Sequence, residues 1–585
     1  MRKTPVEKTF ERPSAQADPH DRLPPGDLSH VRGAPRPALS VLTICEWLDA
    51  TAQRIPHGLA CVFRAQGIRW TWQQLHDESL QLAAGLHHWG LRRGERIGIW
   101  SPNRHEWVLT QYAAARLGLV LVNINPAYRL AELEYALNKV GCRALITAPE
   151  FKTSNYLGML LTLAPELERD PPGQLRAQRL PSLQMVIRMG SAQTPGCFNF
   201  PELMAMGNAS DMADAHNVGR SLSCHDAINI QFTSGTTGNP KGATLTHHNI
   251  VNNAHFVARG MQLTDQDRLA IPVPLYHCFG MVMGSLSCTV TGATMVFPSE
   301  GFEPHATLQA VHEERCTALH GVPTMFIAEL ALPDFDQFDL GSLRTGIMAG
   351  SPCPVEVMKQ VNARMHMTEV LIAYGMTETS PVSFQSDTTD PLERRVATVG
   401  RVQPHLEVKI IDEQGRTVPI GQNGELCTRG YSVMQGYWED ASRTAEAIQD
   451  GWMHTGDLAT IDAAGYCNIV GRVKDMLIRG GENVYPREIE EFLFRHPQVS
   501  QVQVFGVPDT RYGEEVCAWV VLKPGEHCTE DDIRAFCRDQ IAHYKVPRYV
   551  RFVPELPMTV TGKAQKFMMR KSMVDELALA EHKTA

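Results

Sequence analysis

Apolar and polar positions begin to alternate regularly at Ile97. Ile97 to Trp100 is an apolar run of strand length. Asn103 and Glu106 have the spacing of a helix N-cap and its third-position partner, and an amphipathic run continues to Leu117. Val120 to Asn123 predicts a second strand, Leu130 to Val140 a helix, and Ala144 to Thr147 a third strand. This β-α-β-α-β order predicts right-handed crossovers onto a buried parallel sheet. After about Val399 the runs shorten: Leu406 to Ile411, Gly424 to Thr428 and Tyr466 to Val470 read as strands, with a turn at Glu413-Gln414-Gly415. A β-rich subdomain at about 400–470 is expected there. Beyond Arg472 a mixed unit is predicted. It has a helix opening at Pro486, strands at Val502 to Phe505 and Cys517 to Leu522, a helix capped by Thr529 and Asp532, and a last strand at Tyr549 to Val553. Residues 1–36 carry Pro13, Pro19, Pro24, Pro25 and Pro35 with little apolar periodicity, and are expected to be an extended tail. The expectation is an α/β fold: an N-terminal domain over 37–473, including the β-rich part, and a small α+β domain over 474–585.

Composition narrows the partners. The 585 residues are 43% hydrophobic, 20% charged and 7% aromatic, as in ordinary globular proteins, and a net charge of −9 speaks against nonspecific nucleic-acid binding. An anionic ligand must then be held by local groups. The longest apolar runs fall short of the ~20 residues that cross a bilayer, so no transmembrane segment is predicted. The N-terminus mixes Arg2, Lys3, Lys8 and Arg12 with Glu7, Glu11 and Asp18, without the apolar core of a secretory signal. Fourteen cysteines without a C-x-x-C pair suggest reduced thiols rather than a disulfide framework or zinc site, and predict a cytoplasmic enzyme.

The chemistry gathers in five segments. The loop Thr233-Ser234-Gly235-Thr236-Thr237-Gly238-Asn239-Pro240-Lys241 combines glycines that free backbone N–H groups, hydroxyl donors and a lysine. That combination suits a polyphosphate. Its spacing is not the G-x-x-x-x-G-K-[ST] pattern of P-loop NTPases, so no kinase or GTPase mechanism follows. Taken alone, it leaves a Ser/Thr/Gly surface turn with an Asn-Pro corner as the weaker alternative. In Tyr374-Gly375-Met376-Thr377-Glu378 the tyrosine offers a face for a base, Thr377 a hydroxyl for a phosphate and Glu378 a hard oxygen for Mg²⁺. Trp452 to Asp457 reads as a tight turn whose carboxylate could accept from ribose hydroxyls. Gly471 to Pro486 is a charged, glycine-containing crossover, and Thr561-Gly562-Lys563 sets a lysine behind a flexible glycine.

In this order and spacing the five segments resemble the adenylate-forming superfamily of acyl-CoA synthetases, luciferases and peptide-synthetase adenylation domains, over about residues 45 to 570. Pro274-Leu275-Tyr276-His277-Cys278-Phe279-Gly280 and Gly471 to Glu490 look most like the medium-chain fatty acyl-CoA synthetases. The resemblance implies a C-terminal domain that moves as a lid, and ATP, Mg²⁺ and coenzyme A as reactants or cofactors. Thr233 to Lys241 would hold the ATP phosphates, and Gly350-Ser351-Pro352 with Tyr374 would frame the adenine. Thr377 would contact the α-phosphate, Glu378 the magnesium, and Asp457 with Arg472 the ribose. Lys563 would be the catalytic lysine, Lys474 the hinge, and His277 a neighbour of the substrate carboxylate. Gly480 and Gly481 would face the pantetheine channel. The same resemblance puts the acyl pocket near Tyr276 to Gly284, Gly321 to Met325 and Gly346 to Gly350, with Met281, Met283, Met325 and Met348 as a soft lining.

The expected reaction is formation of an acyl-adenylate with release of pyrophosphate, then of an acyl-CoA thioester with release of AMP. Those pocket segments carry no Lys or Arg, which favours an apolar monocarboxylate. Three alternatives stay open: an aryl-acid ligase, an acyl-AMP ligase loading a separate carrier protein, and an inactive nucleotide-binding scaffold. Peripheral membrane contact and oligomerisation are also open.

Overall fold

A computed structural model describes residues 24, 26–233, 240–351, 353–479, 482–509, 511–538, 540–559 and 562–577. Two large sheets form the N-terminal body. In the first, Cys197–Asn199, Met185–Arg188, Cys142–Thr147, Arg96–Trp100, Val120–Asn123 and Ala227–Thr233 run parallel, and Lys241–Thr246 with Gly436–Tyr437 complete it antiparallel. In the second, Leu59–Phe63, Thr294–Phe297, Arg268–Ala270, Ala318–Leu319, Thr345–Ala349 and Glu369–Gly375 lie parallel in that order. Both faces of these strands are covered, so Val120–Asn123 and Thr345–Ala349 are buried at every position. The Ile97, Val120 and Ala144 strands and the Leu130–Val140 helix lie where the apolar runs predicted them.

The run from Asn103 to Leu117 departs from expectation. The helix spans His105–Leu117 and is not amphipathic, since every residue from Glu106 to Leu117 is buried. Several of its polar groups are matched internally, while Trp107 Nε1, Gln111 Nε2 and Arg116 Nε are buried without a partner among the described residues. Arg116 pairs with Asp49, Ser285 donates to Gln111 at 3.1 Å, and Tyr112 shares a 2.5 Å hydrogen bond with Thr289. Asn103 does not cap it. Its amide donates to the Val273 carbonyl (3.0 Å) while its oxygen accepts from the Leu275 N–H (2.8 Å), fixing the segment that leads to His277.

A third, antiparallel sheet carries His30–Arg32, Leu406–Ile411, Gly424–Gly430, Trp452–Ile461 and Cys467–Arg472. The stretch read as a loose tail therefore ends in a paired strand, with Val31 buried opposite Val408. The C-terminal unit has its own sheet of Glu482–Val484, Leu477–Arg479, Gly513–Leu522, Val499–Asp509 and Tyr549–Phe552, and its own apolar cores. Pro486 opens its first helix, and Thr529 with Asp532 makes a capping box on the second. Among the described residues, no helix is long and apolar enough to cross a membrane.

Candidate active site

The phosphate-loop segment joins two antiparallel strands at their open end, where Thr233 stands directly opposite Lys241. Ser234, Gly235, Thr236, Thr237, Gly238 and Asn239 lie outside the described residues, as do Pro352, Gly480 and Gly481. The Pro240 carbonyl accepts from the Tyr135 hydroxyl at 3.2 Å. Lys241 holds its ammonium 4.9 Å from the centre of the Tyr437 ring. Tyr437 donates to Glu378 Oε1 at 2.9 Å, and Thr233 donates to the same oxygen at 3.1 Å. Both ends of the loop and Glu378 thus form one cluster around Tyr437. Sequence reading missed this tyrosine, because only the pairing of Gly436–Tyr437 with the Lys241 strand brings it there.

Glu378 sits in a single 3-10 turn, Thr377–Thr379, after the strand ending at Gly375. That tight reversal requires glycine at 375, since a Cβ there would lie 1.7 Å from the Pro381 carbonyl oxygen. Thr377 and Glu378 are both buried, and the Met434 N–H donates to the Glu378 carbonyl at 2.9 Å.

Asp457 lies not in a turn but inside the ten-residue strand Trp452–Ile461, in register with Arg472. The glycine that suggested a turn is real in its backbone: Gly456 has φ of +69° and disturbs the strand locally, and its N–H donates to Glu425 Oε1 at 3.1 Å. Arg472 Nε approaches Asp457 Oδ1 at 3.2 Å, and the Tyr374 hydroxyl donates to Oδ2 at 2.5 Å. Burial raises the Asp457 pKa against the pull of Arg472, and burial followed by the Asp457 charge drives the Tyr374 hydroxyl well above its ordinary value. Tyr374 therefore stays a neutral donor. Gly350, at φ +91°, and Ser351 follow the strand beside that of Tyr374.

Lys563 enters from the C-terminal unit. Its N–H donates to the Thr559 hydroxyl at 3.0 Å in a turn closed by Gly562, whose φ is +74°. A Cβ on Gly562 would stand 2.7 Å from Val322 Cγ2 and 3.1 Å from Thr324 Oγ1, so this turn rests directly on the N-terminal body. The Lys563 residue is exposed, yet nearby protein still desolvates its ammonium. Desolvation and Arg472 push its pKa down, and Glu378, Asp457 and Cys278 hold it up. Burial and the Lys563 charge push His277 down to about 3, so that imidazole is neutral, and its Nδ1 accepts from the Phe279 N–H at 3.2 Å. Lys563 thus shares one electrostatic environment with His277, Glu378, Asp457 and Arg472. Lys474 is exposed in the turn between Cys467–Arg472 and Leu477–Arg479, where the chain passes into the C-terminal unit.

Beyond His277 the chain winds as a π-helix over Phe279–Leu286, a wide winding concentrated at functional sites. Met281, Met283 and Met325 share one apolar cluster with Phe279, Val322, Ile347 and Ala349. Met348 does not join them. Side chains alternate along Thr345–Ala349, and Met348 packs on the opposite face with Phe326 and Met358.

Comparison with known proteins supports the same assignment. The family described as AMP-binding enzyme matches residues 48–438, and the AMP-binding enzyme C-terminal domain matches 488–563, ending on Lys563. The chain belongs to the AMP-binding enzyme family. It is 46% identical over 581 residues to "Medium-chain acyl-CoA ligase ACSF2, mitochondrial" of Danio rerio, covering 99% of this chain and 96% of that protein. It is 48% identical to the putative acyl-CoA synthetase YngI of Bacillus subtilis, covering 92% and 98%. Among solved structures, the anthranilate CoA ligase AuaEII in complex with anthranoyl-AMP superposes with a TM-score of 0.81 at 26% identity, covering 92% and 98%. ATP-bound MatB from Rhodopseudomonas palustris gives 0.75 at 28%, covering 91% and 99%. The expected cytoplasmic location is overturned, because the similar vertebrate proteins are named mitochondrial. Reduced thiols were its basis. All fourteen cysteines are indeed free, but a reducing interior is not particular to the cytosol.

Proposed function

We propose that this enzyme is an ATP-dependent acid–thiol ligase that activates medium-chain fatty acids as acyl-adenylates and transfers the acyl group to coenzyme A. One observation carries this reading: Lys563, on a turn of the C-terminal unit that rests against Val322 and Thr324 of the N-terminal body, feels the charges of Glu378, Asp457 and Arg472, and buried His277 feels that of Lys563. A carboxylate and a triphosphate repel each other strongly at short range, so their reaction needs positive charge placed where the α-phosphate oxygens gain charge. Lys563 supplies it. Thr233 to Lys241 cradle the phosphates, Thr377 donates to the α-phosphate, and Gly350-Ser351-Pro352 with Tyr374 frame the adenine. Asp457, aligned by Tyr374 and Arg472, accepts from the ribose hydroxyls. Glu378 fits as the Mg²⁺ ligand, because its buried carboxylate is a hard oxygen donor held by two hydroxyls, and the ion would neutralise phosphate charge.

As the acid's oxygen bonds to the α-phosphorus, the bond to pyrophosphate breaks. The thiolate of coenzyme A then attacks the acyl carbon and AMP leaves. For that second step Lys474 acts as the hinge about which the C-terminal unit turns, bringing Gly480 and Gly481 toward the pantetheine arm. Neutral His277 lines the approach of the acid without adding a charge that would hold the carboxylate back. Met281, Met283 and Met325 form an adaptable apolar wall, and each buried CH₂ is worth about 0.8 kcal/mol, so selectivity should grow stepwise with chain length.

The test is release of AMP, dependent on coenzyme A, across saturated acids of increasing length with benzoate and anthranilate alongside. Rates that peak at medium chain length support the reading. A peak on the aryl acids would replace it with the activity in the name of the anthranilate ligase.

A further inference from the structure

Away from the cleft, two groups among the described residues bring three ligating atoms within 4.8 Å of one another: Glu425 and Cys427 with His454, and Cys224 and His225 with His248. The first is satisfied internally. His454 Nδ1 lies 3.0 Å from Glu425 Oε2, and the other Glu425 oxygen accepts from the Gly456 N–H. The second is built differently. Cys224 and His225 occupy the turn just before the strand Ala227–Thr233, and His248 stands in the first turn of the helix after Lys241–Thr246. We propose that Cys224, His225 and His248 bind a zinc ion, with water as fourth ligand, at the base of the hairpin whose tip is the phosphate loop.

The three segments are held for this before any ion arrives. The His248 N–H donates to the Cys224 carbonyl at 2.7 Å, tying the two chain segments directly together. The turn is fixed by Ser223 N–H to Asp226 (2.9 Å) and His225 N–H to the Ser223 hydroxyl (3.2 Å), and Gln435 donates to the His225 carbonyl at 3.1 Å. The two imidazoles lie 4.7 Å apart, and the Asn252 amide donates to the His248 backbone carbonyl at 2.9 Å, fixing the helix turn that carries the second ring. One thiolate, two imidazoles and a water are ligands of the kinds zinc takes in four-coordinate sites. In a tetrahedron with Zn–S near 2.3 Å and Zn–N near 2.0 Å the ligand atoms stand about 3.5 Å apart, so side-chain rotations on the order of 1 Å close the cluster. Cys224 is buried and His225 exposed, which gives the site an anchored side and an open side through which an ion and water enter. On binding, the Zn–S bond forms and the thiol proton passes to solvent.

The base and tip of the hairpin are linked by their register. Ala227 pairs with Thr246 beside the cluster, and Thr233 pairs with Lys241 at the phosphate loop. An ion at the base would hold the two strands together where they enter the body, without touching the nucleotide cleft.

The experiment uses the full-length protein stripped by chelator and titrated with zinc against a chromophoric competitor, in parallel with His225→Ala and Cys224→Ser. The expected result is one tight equivalent in the parent. Its affinity should fall by more than about 10-fold in each variant, the smallest loss expected even for an outer-shell partner. Cobalt used as a probe should give a sulfur-to-metal charge-transfer band in the parent that Cys224→Ser lacks. His225→Ala, on an exposed turn, should keep the parent's AMP release in zinc-free buffer, which shows that the variant is folded. Equal zinc uptake by parent and His225→Ala, or uptake abolished only by His454→Ala, would overturn the assignment.

Discussion

On the proposed mechanism Lys563 supplies charge and Tyr374 alignment, and the division can be measured. Lys563 holds a positive charge in surroundings that disfavour it, and this is useful only where negative charge is growing. Lys563→Ala should lower acyl-adenylate formation by about 10²- to 10³-fold, like removal of a single oxyanion donor. Thioester formation from supplied acyl-adenylate should persist if, as proposed, the lysine withdraws for that step; equal loss in both half-reactions would refute this. Tyr374 acts through its hydroxyl on Asp457. A hydrogen bond to a charged group is worth about 1.5–3 kcal/mol, so Tyr374→Phe should raise the KM for ATP by roughly 10-fold or more. Since the ring remains, kcat should change little, and a fall in kcat at constant KM would mean that the hydroxyl acts in the transition state instead. Single residues were legible where their type is unusual for its setting, as with a lysine behind glycine. They were illegible where topology chooses between roles. Asn103 has the letters of a helix cap but bridges to Val273 and Leu275, and Tyr437 joins the loop cluster through a strand pairing that no local pattern encodes.

Among the elements, the three parallel strands read at Ile97, Val120 and Ala144 were placed to within two residues, since burial on both faces writes them as unbroken apolar runs, whereas the strands of the second sheet, Thr345–Ala349 among them, were not read. The same logic misread the helix His105–Leu117. Its polar residues suggested an exposed face, whereas Asp49, Ser285 and Thr289 on other elements satisfy part of them inside the core. Asp457 was misplaced for a related reason: Gly456 gives a turn-like backbone within a strand whose partners lie far away in sequence. The turn at Lys474 is the element whose behaviour is most directly testable. Val473 and Asp475 on either side donate to Gly456 and Arg472, both in the N-terminal body. Proline at 474 fixes φ near −65°, removes an N–H and restricts Val473. Lys474→Pro should therefore leave ATP–pyrophosphate exchange within a few-fold of the parent while slowing thioester formation from supplied acyl-adenylate, the reverse of Lys563→Ala. Loss of exchange instead would mean that the turn serves the first half-reaction.

For the whole molecule, the parallel core sets a dependence of stability on pH. His247 and His320 are fully buried, and burial pushes them to about 3 and about 4. Both are held neutral: His247 Nδ1 accepts from the Ile44 N–H at 3.2 Å, and His320 accepts from the Ile347 N–H while its other nitrogen lies 3.0 Å from the Met283 carbonyl. In the unfolded chain each titrates near 6.5. Between that value and the depressed folded one the unfolded state binds more protons, so stability rises with pH across the window and is complete above it. Acidification from about pH 6.5 toward 4 should cost about 1.4 kcal/mol per pH unit for each histidine, roughly 3 kcal/mol per unit for the pair. Both belong to the N-terminal body, and His320 lies between the π-helix and the strand Thr345–Ala349 behind the methionine-lined cluster. The acid-sensitive part of the fold therefore includes the segment proposed above to wall the acyl pocket. Urea midpoints at pH 7.5, 6 and 5, followed by tryptophan fluorescence, should fall steadily below pH 6.5. His320→Gln, which keeps a donor and an acceptor but does not titrate, should flatten the slope by about 1.4 kcal/mol per pH unit, leaving the shares of His247 and of the likewise depressed His255 and His277; an unchanged slope would mean that acid acts on other groups.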